Sequence, residues 1–410
     1  KTTTCKMVSS ILGRAGFGVV RNVSGANLRQ GIATTLLDAA NLAGRIDADY
    51  ALLEVDEAAA AHEIQPLRPA GLLISNLFRD QLDRYGELAT TARRLRDAID
   101  TGLPEGALLI LNADDPLVAS LAGERAAAGY YGIDTPERAL AEADHASDSD
   151  ECPACGSPLE YRLRYGAHLG LWRCPACAVA RPEPQLQVVG ADLLPDLTES
   201  VEMAVASEGD DGEPATMAVT LRLPGLYNVA NAAAAATLTL ALGIDPGHVR
   251  EGLEATGAAF GRLERIAMPG GKTAVLMLVK NPAGLNEVTR LIAETGEPRP
   301  AVIALNDNTA DGHDVSWIWD ADFERLAGRL GHVVASGVRA HDMALRLKYA
   351  GIDTRRVEIV PEVRPALTHA LERTHEGGQV YVLPTYTAML DLRGQLQAEG
   401  LVPAFWEELE

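Results

Sequence analysis

From Ala107 to Pro116 the chain reads ALLILNADDP, and this stretch decides the fold. An unbroken apolar run predicts a strand buried on both faces, the habit of parallel sheets covered by helices. The run stops at Asn112, Asp114 and Asp115, with Pro116 behind them, a polar tip that can also start a helix. In doubly wound sheets such tips lie where ligands bind.

The same form recurs on either side. Upstream, ALLEVDE (51–57) and GLLISNLF (71–78) are short apolar strands with polar ends, and KTTTCKMVSSILGRAGFGVV (1–20) reads as an amphipathic helix followed by a Gly-broken strand. Downstream, residues 187–223 predict strands of an antiparallel patch, with the acidic hairpin SEGDDGEP between two of them. NVANAAAAATLTLALGI (228–244) predicts a buried helix, and another is expected over 246–254. After GRLER (261–265) come TAVLMLV, AVIALND, GHVVASG, RVEIV and QVYVLPTY, alternating with helices near 286–295 and from Asp322, His341 and Arg364. The expected fold class is α/β, with two doubly wound α/β domains over 1–262 and 263–410 and a cysteine-rich insertion at 150–184.

A chain of 410 residues is too long for a single core. Its net charge of -21 argues against a basic face for nucleic acid. The longest strongly apolar stretches, such as AVLMLV from Ala274, fall short of the roughly 20 residues that span a bilayer, so no transmembrane segment is expected. No signal peptide is visible, and because the first residue is Lys1 rather than Met, the native start is expected upstream. Four of the five cysteines fall in CxxC pairs, a usage that suits a reducing cytoplasm.

Those pairs are Cys152/Cys155 and Cys174/Cys177, with 18 residues between them. The spacing belongs to the C-x₂-C…C-x₂-C class of tetrathiolate zinc sites, closed and structural because no coordination position is left open. Two separate redox motifs are the competing reading. Cys5 is left over and carries no assigned role.

Lys1-Thr2-Thr3-Thr4 matches the tail of a phosphate-binding loop, in which the Lys meets the terminal phosphates, the first hydroxyl holds Mg²⁺ and the following helix aims its N-terminus at the anion. Alone, KTTT is a weak signal and reads more readily as an ordinary polar helix start. Three polar strand tips behind it favour a shared ligand: Glu54 and Asp56; Asn76, Arg79, Asp80 and Asp83; and Asn112, Asp114 and Asp115.

KTTT, EVDE, NLFRDQLDRYGE, LNADDP, YNVAN and GRLE follow the order and approximate spacing of the Mur ligase superfamily, which this chain resembles across its nucleotide domain. The resemblance implies that Lys1, Thr2 and Thr3 bind ATP and that Thr2 and Glu54 hold Mg²⁺. It also implies that Asn228 and Asn231 lie near the nucleotide, Asn112 and Asp115 near its base or ribose, and Arg262 at a hinge facing the γ-phosphate. Gln81 and Tyr227 depart from the pattern of the stand-alone ligases, where histidines are usual.

The zinc insertion, VKNPAGLNEV (279–288) and LNDNTADGHDVSWIWD (305–320) narrow the resemblance to the MurT family, synthetase subunits of lipid II isoglutaminyl synthase. That resemblance implies ATP-dependent amidation of the D-glutamate α-carboxylate of lipid II. Ammonia would come from a GatD-type glutaminase partner, and the reaction would take place in the cytoplasm at the inner face of the cell membrane. The family pattern makes Asp314 the carboxylate that completes the partner's Cys/His pair, with Asp311 and Asp307 as fallbacks. On composition alone Asp314 could simply cap a helix or an Asx-turn, and Trp317 and Trp319 read as core or interface anchors. A stand-alone Mur or folylpolyglutamate-type ligase and a non-catalytic nucleotide-binding scaffold are the alternative functions.

Overall fold

A computed structural model describes residues 1–22, 26–78, 88–123, 125, 128–140, 150–194, 198–206, 214–257, 262–295 and 298–403. The chain forms two compact units, the first running to Gly257 and the second holding the described residues from Arg262 onward.

In the first unit, helix Thr2–Arg14 buries Met7, Val8, Ile11 and Leu12, a stripe at helical spacing. It packs on helices Leu226–Ala241 and Pro246–Ala255. Gly252 permits the contact, because a Cβ there would lie 2.5 Å from the Ile11 Cα. Strands β1 (Val19–Arg21) and β2 (Tyr50–Leu52) pair in parallel. Strands β3 (Gly71–Ile74), β4 (Leu108–Asn112) and β5 (Ala128–Ile133) are parallel neighbours, and ALLILN fills the interior as expected, with Leu109, Ile110 and Leu111 buried. The ribbon strands β6 (Glu160–Gly166) and β7 (Leu169–Arg173) form their own antiparallel pair. Strands β8 (Leu186–Leu193), β9 (Glu199–Val205) and β10 (Ala215–Leu221) are antiparallel to one another, and β8 runs parallel beside β5.

The patch expected over 187–223 is thus continuous with the parallel strands, in one six-stranded sheet of order β10-β9-β8-β5-β4-β3. Helix Leu226–Ala241 lies across it, and its five consecutive alanines are fully buried, small enough to let the helix approach the sheet. Glu199, also fully buried, pairs with Arg138 and accepts the Gly225 N–H at 2.9 Å, which anchors the start of that helix. Most of SEGDDGEP lies outside the described residues.

In the second unit, β11 (Arg262–Met268) is an antiparallel edge strand on β12 (Lys272–Met277). Strands β13 (Arg299–Ala304), β14 (Leu330–Ser336), β15 (Val357–Ile359) and β16 (Gln379–Pro384) run parallel with β12, in the order β11-β12-β16-β13-β14-β15. Helices Pro282–Glu294, Ala340–Tyr349, Val363–Glu372 and Tyr386–Ala398 complete the α/β alternation. The helix expected from Asp322 is instead a single 3₁₀ turn, Phe323–Leu326, and a second 3₁₀ turn, Ser316–Trp319, lies before it within the acidic loop. The buried Arg346 bears on the difference: it takes the Ala321 carbonyl (2.7 Å), which would accept the first bond of a helix starting at Asp322, as well as the Ile318 carbonyl (2.9 Å) of the preceding turn. Among the described residues no helix is long and apolar enough to cross a membrane.

Candidate functional site

The polar ends of β1 and β2 gather at the start of helix Thr2–Arg14. Thr2 donates its hydroxyl to Glu54 Oε1 at 3.1 Å. Glu54 is fixed through its backbone by Asn22, whose side-chain amide accepts the Glu54 N–H and donates to the Glu54 carbonyl, each at 2.8 Å. Two cis oxygens of an octahedral Mg²⁺ lie about 2.9 Å apart for 2.0–2.1 Å bonds, so the hydroxyl and the buried carboxylate fit one such cation. Lys1 Nζ is 2.5 Å from Glu57 and 3.5 Å from Asp56. The helix's first turn has no acidic side chain, leaving its N–H groups oriented toward an anion. Thr3 is buried, so only its backbone N–H can serve that anion.

Thr4 and YNVAN extend the cluster: Thr4 donates to Asn231 (3.0 Å), Asn231 to Asn228 (3.3 Å) and Asn228 to the Pro224 carbonyl (2.9 Å). The sequence-predicted Asn228 and Asn231 are therefore joined to the KTTT helix. Burial pushes the Cys5 thiol up to about 11, with the Glu54 charge adding to the shift, so it stays a neutral thiol at physiological pH. Arg262 opens β11 in the second unit, and its side chain, like Arg79, Asp80, Gln81 and Asp83, lies outside the described residues.

Asn112 and Asp115 sit in a closed network. Asn112 donates to Asn76 at 3.1 Å and accepts the Asp114 N–H. Asp115 caps helix Pro116–Ala119 through Leu117 and Val118, accepts the Leu77 N–H at 2.9 Å and lies 3.3 Å from His168 Nε2. Asp114 bonds Arg181 (2.7 Å) and the Ile133 N–H (2.9 Å). Burial raises the Asp114 carboxyl to about 6, with Arg181 opposing the shift. The folded state therefore keeps a proton that the unfolded chain has already released. Its contribution to stability should fall as pH rises from about 4 to about 6 and stay level above. A ¹³C-detected carboxyl titration is expected to give a midpoint near 6 for Asp114, and a midpoint at the ordinary Asp value would contradict this environment.

The four ribbon cysteines bring their Sγ atoms within 4.8 Å of one another. Cys152–Cys177 and Cys155–Cys174 are each 3.5 Å apart, near the edge of about 3.8 Å for a tetrahedron with 2.3 Å Zn–S arms. Each CPAC turn ends in a left-handed residue, Gly156 (φ 72°) and Ala178 (φ 61°). The paired turns fit one tetrathiolate zinc and not two separate redox motifs.

In the second unit the acidic loop separates its carboxylates by role. Asp311 is buried and holds the Thr387 N–H at 2.8 Å as well as the Thr387 hydroxyl. Asp307 pairs with Arg339 at 3.4 Å. Asp314 is exposed, and the hydrogen bonds it accepts from Ser316, including the N–H at 2.8 Å, hold its carboxyl below the usual range and keep it ionised. The Asx-turn expected from composition is thus present, and it leaves the carboxylate facing solvent. Trp319 is exposed and packs edge-on against Tyr349 at 5.7 Å.

Two family descriptions match the chain, the Mur ligase middle domain over residues 1–159 and the MurT ligase C-terminal domain over residues 278–389. The MurT subunit of lipid II isoglutaminyl synthase (glutamine-hydrolyzing) from Streptococcus pneumoniae R6 is 32% identical, the match covering 98% of this chain and 86% of the relative. The chain belongs to the MurT family. The Staphylococcus aureus COL MurT subunit is 30% identical over 97% of this chain and 85% of its own length. Among solved structures, the pseudomurein peptide ligase type C of Methanothermus fervidus superposes with a TM-score of 0.70 at 21% identity, covering 97% of this chain and 76% of the other. The Thermotoga maritima MurF ligase in complex with ADP gives 0.63 at 12% identity, covering 97% and 77%. These structural likenesses establish the shared Mur ligase fold. For this MurT-family chain the sequence reading missed Asn22, His168 and Arg181. Asn22 had a signal, since VVRN, LISN and LILN all place an Asn at a strand end; His168 and Arg181 had none, because they act from within the inserted ribbon.

Proposed function

We propose that this chain is the synthetase subunit of a glutamine-dependent amidotransferase acting on lipid II in peptidoglycan synthesis. The D-glutamate α-carboxylate of the stem peptide attacks the γ-phosphorus of ATP, forming an acyl phosphate and releasing ADP. Ammonia then adds to the acyl carbon and phosphate departs, leaving the amide of D-isoglutamine after loss of a proton. Phosphate leaves far more readily than hydroxide, which is why ATP is required.

The observation that carries this reading is the corner formed by Lys1, Thr2 and Glu54 at a helix N-terminus, in a chain with MurT relatives along its length. In the proposed site Lys1 and the first-turn N–H groups, that of Thr3 included, bind phosphates, while Thr2 and Glu54 hold Mg²⁺, which when bound offsets phosphate charge. Asn228 and Asn231 brace the helix, Asn112 and Asp115 order the base or ribose end, and Arg262 would face the γ-phosphate, as the family pattern implies. A domain at 1–262 would carry this site, with the ribbon at 150–184, and 263–410 would meet the glutaminase. Lipid II would be met on the cytoplasmic face of the membrane.

Ammonia would come from a GatD-type partner whose Cys/His pair borrows Asp314 as the group that orients the His and stabilises its imidazolium. Exposure favours Asp314 over Asp311, which is buried against Thr387, and over Asp307, which is paired with Arg339. Asp314→Asn is expected to lower glutamine hydrolysis by the complex roughly a hundredfold; undiminished hydrolysis would sink this assignment. The function itself is tested by co-purifying the chain with its glutaminase, supplying ATP, glutamine and lipid II, and following the acid-to-amide change by mass spectrometry. Coupling of an amino acid, with no gain from the glutaminase, would favour a stand-alone ligase instead.

A further inference from the structure

The zinc ribbon reaches three successive residues at the tip of β4, through hydrogen bonds to Ala113 and Asp114 and a close approach to Asp115. Trp172 donates its indole N–H to the Ala113 carbonyl at 3.0 Å. Gly170 donates its N–H to the Asp114 carbonyl at 3.0 Å, and Arg181 grips the Asp114 carboxylate at 2.7 Å. His168, wholly buried, sets Nε2 3.3 Å from Asp115 Oδ2, with its ring 5.1 Å from that of Phe78 beyond β3. The same Asp115 oxygen accepts the Leu77 N–H, so His168 and the β3 tip meet on one atom. Ala119, just past the tip, shares a small core with Cys152, Leu159, Trp172 and Cys174. The ribbon also touches the segment after β5, where the Tyr165 hydroxyl accepts the Thr135 N–H at 2.9 Å, but its buried side chains from β7 and the turn before it go to the β4 tip.

A lobe that was merely stapled on would have no reason to spend its buried donors on one strand tip. Here they converge on Ala113–Asp115, and Cys174 of the four-cysteine cluster lies two residues from Trp172, so movement of that cluster must move the Trp172 contact to Ala113. We infer that the ribbon sets the geometry of the nucleotide's base end, with His168 as the positioning residue, so that nucleotide affinity depends on a closed tetrathiolate site although no cysteine touches nucleotide. This rests on the assignment of Asn112 and Asp115 to that end of the nucleotide.

The test uses the glutaminase complex and MgADP as probe, with zinc content measured alongside. His168→Ala should raise the Kd for MgADP at least fivefold while zinc stays bound, and His168→Gln, which again places a nitrogen beside Asp115, should recover most of the loss. The KM for ATP should rise in step while the KM for glutamine holds, a split that general loosening of the fold would not produce. Trp172→Phe, which keeps an aromatic ring but loses the indole donor and part of the buried volume, provides a second variant with the same expected direction. MgADP affinity within twofold of wild type in both His168→Ala and Trp172→Phe, zinc retained, overturns the inference and leaves the nucleotide site standing. A wild-type complex that binds no MgADP overturns the nucleotide-site reading and the inference with it.

Discussion

Lys1→Ala is expected to lower ATP-dependent amidation about a thousandfold while the chain stays folded, because phosphoryl transfer is driven mainly by positioned charge at the transferring phosphate. Lys1 is partly exposed and its ion pairs are with Asp56 and Glu57 at the mouth of the cluster, so its loss removes no buried packing. Glu54→Ala should have a comparable effect through the metal, yet it also strips the partner from the Thr2 hydroxyl, so a modest fall in stability should accompany it. The two variants together separate an enzyme from a scaffold. Steady-state amidation of lipid II is the measurement, with thermal melting as the control. Turnover within a few-fold of wild type in both would mean that the Lys1–Thr2–Glu54 corner does no chemistry and that the chain serves the complex in some other way.

Cys174→Ser should unfold the ribbon while both main sheets persist. The ribbon's own core is Cys152, Leu159, Trp172 and Cys174 resting on Ala119, with Tyr130 and Tyr161 alongside. Such a cluster gives at most a few kcal/mol at about 25 cal/mol per Å² of buried apolar surface. Structural zinc in isolated fingers contributes about 10–16 kcal/mol of apparent binding free energy, so the metal dominates the lobe's stability. The variant should lose zinc and become sensitive to limited proteolysis within 150–184, with its thermal transition lowered. A variant that loses its zinc but keeps the wild-type digestion pattern would show that the lobe stands on packing and not on metal.

Much of this was legible in the chain because apolar runs with polar ends carry their own boundaries. ALLILNADDP gave β4 and its tip, and the CxxC spacing gave a cluster whose sulfurs do converge. What escaped depended on distant partners. The antiparallel pairing of β11 escaped because GRLER reads as a connector until Lys272–Met277 lies beside it. The 3₁₀ turn that replaces the helix after the acidic loop escaped because Arg346, far along the chain, takes the Ala321 carbonyl that such a helix needs. Asp115 read correctly as a polar tip, but its burial follows from a histidine delivered by an insertion with its own separate logic. Asp314 was the opposite case: the local Asx-turn and the outward carboxylate are both present, and neither excludes the other.

The neighbouring placement of β5 and β8 bears on how the molecule is made. Tyr131 pairs with Leu186, so everything between them must be looped out before the six-stranded sheet can zip past its centre. Closing a long flexible loop costs chain entropy that grows with its length, whereas a collapsed ribbon brings its two ends together beforehand. If the four cysteines hold zinc as proposed, ribbon collapse would depend on it, and zinc supply during synthesis is then expected to set the folding rate, a zinc-starved chain exposing the β5 and β8 edges for longer.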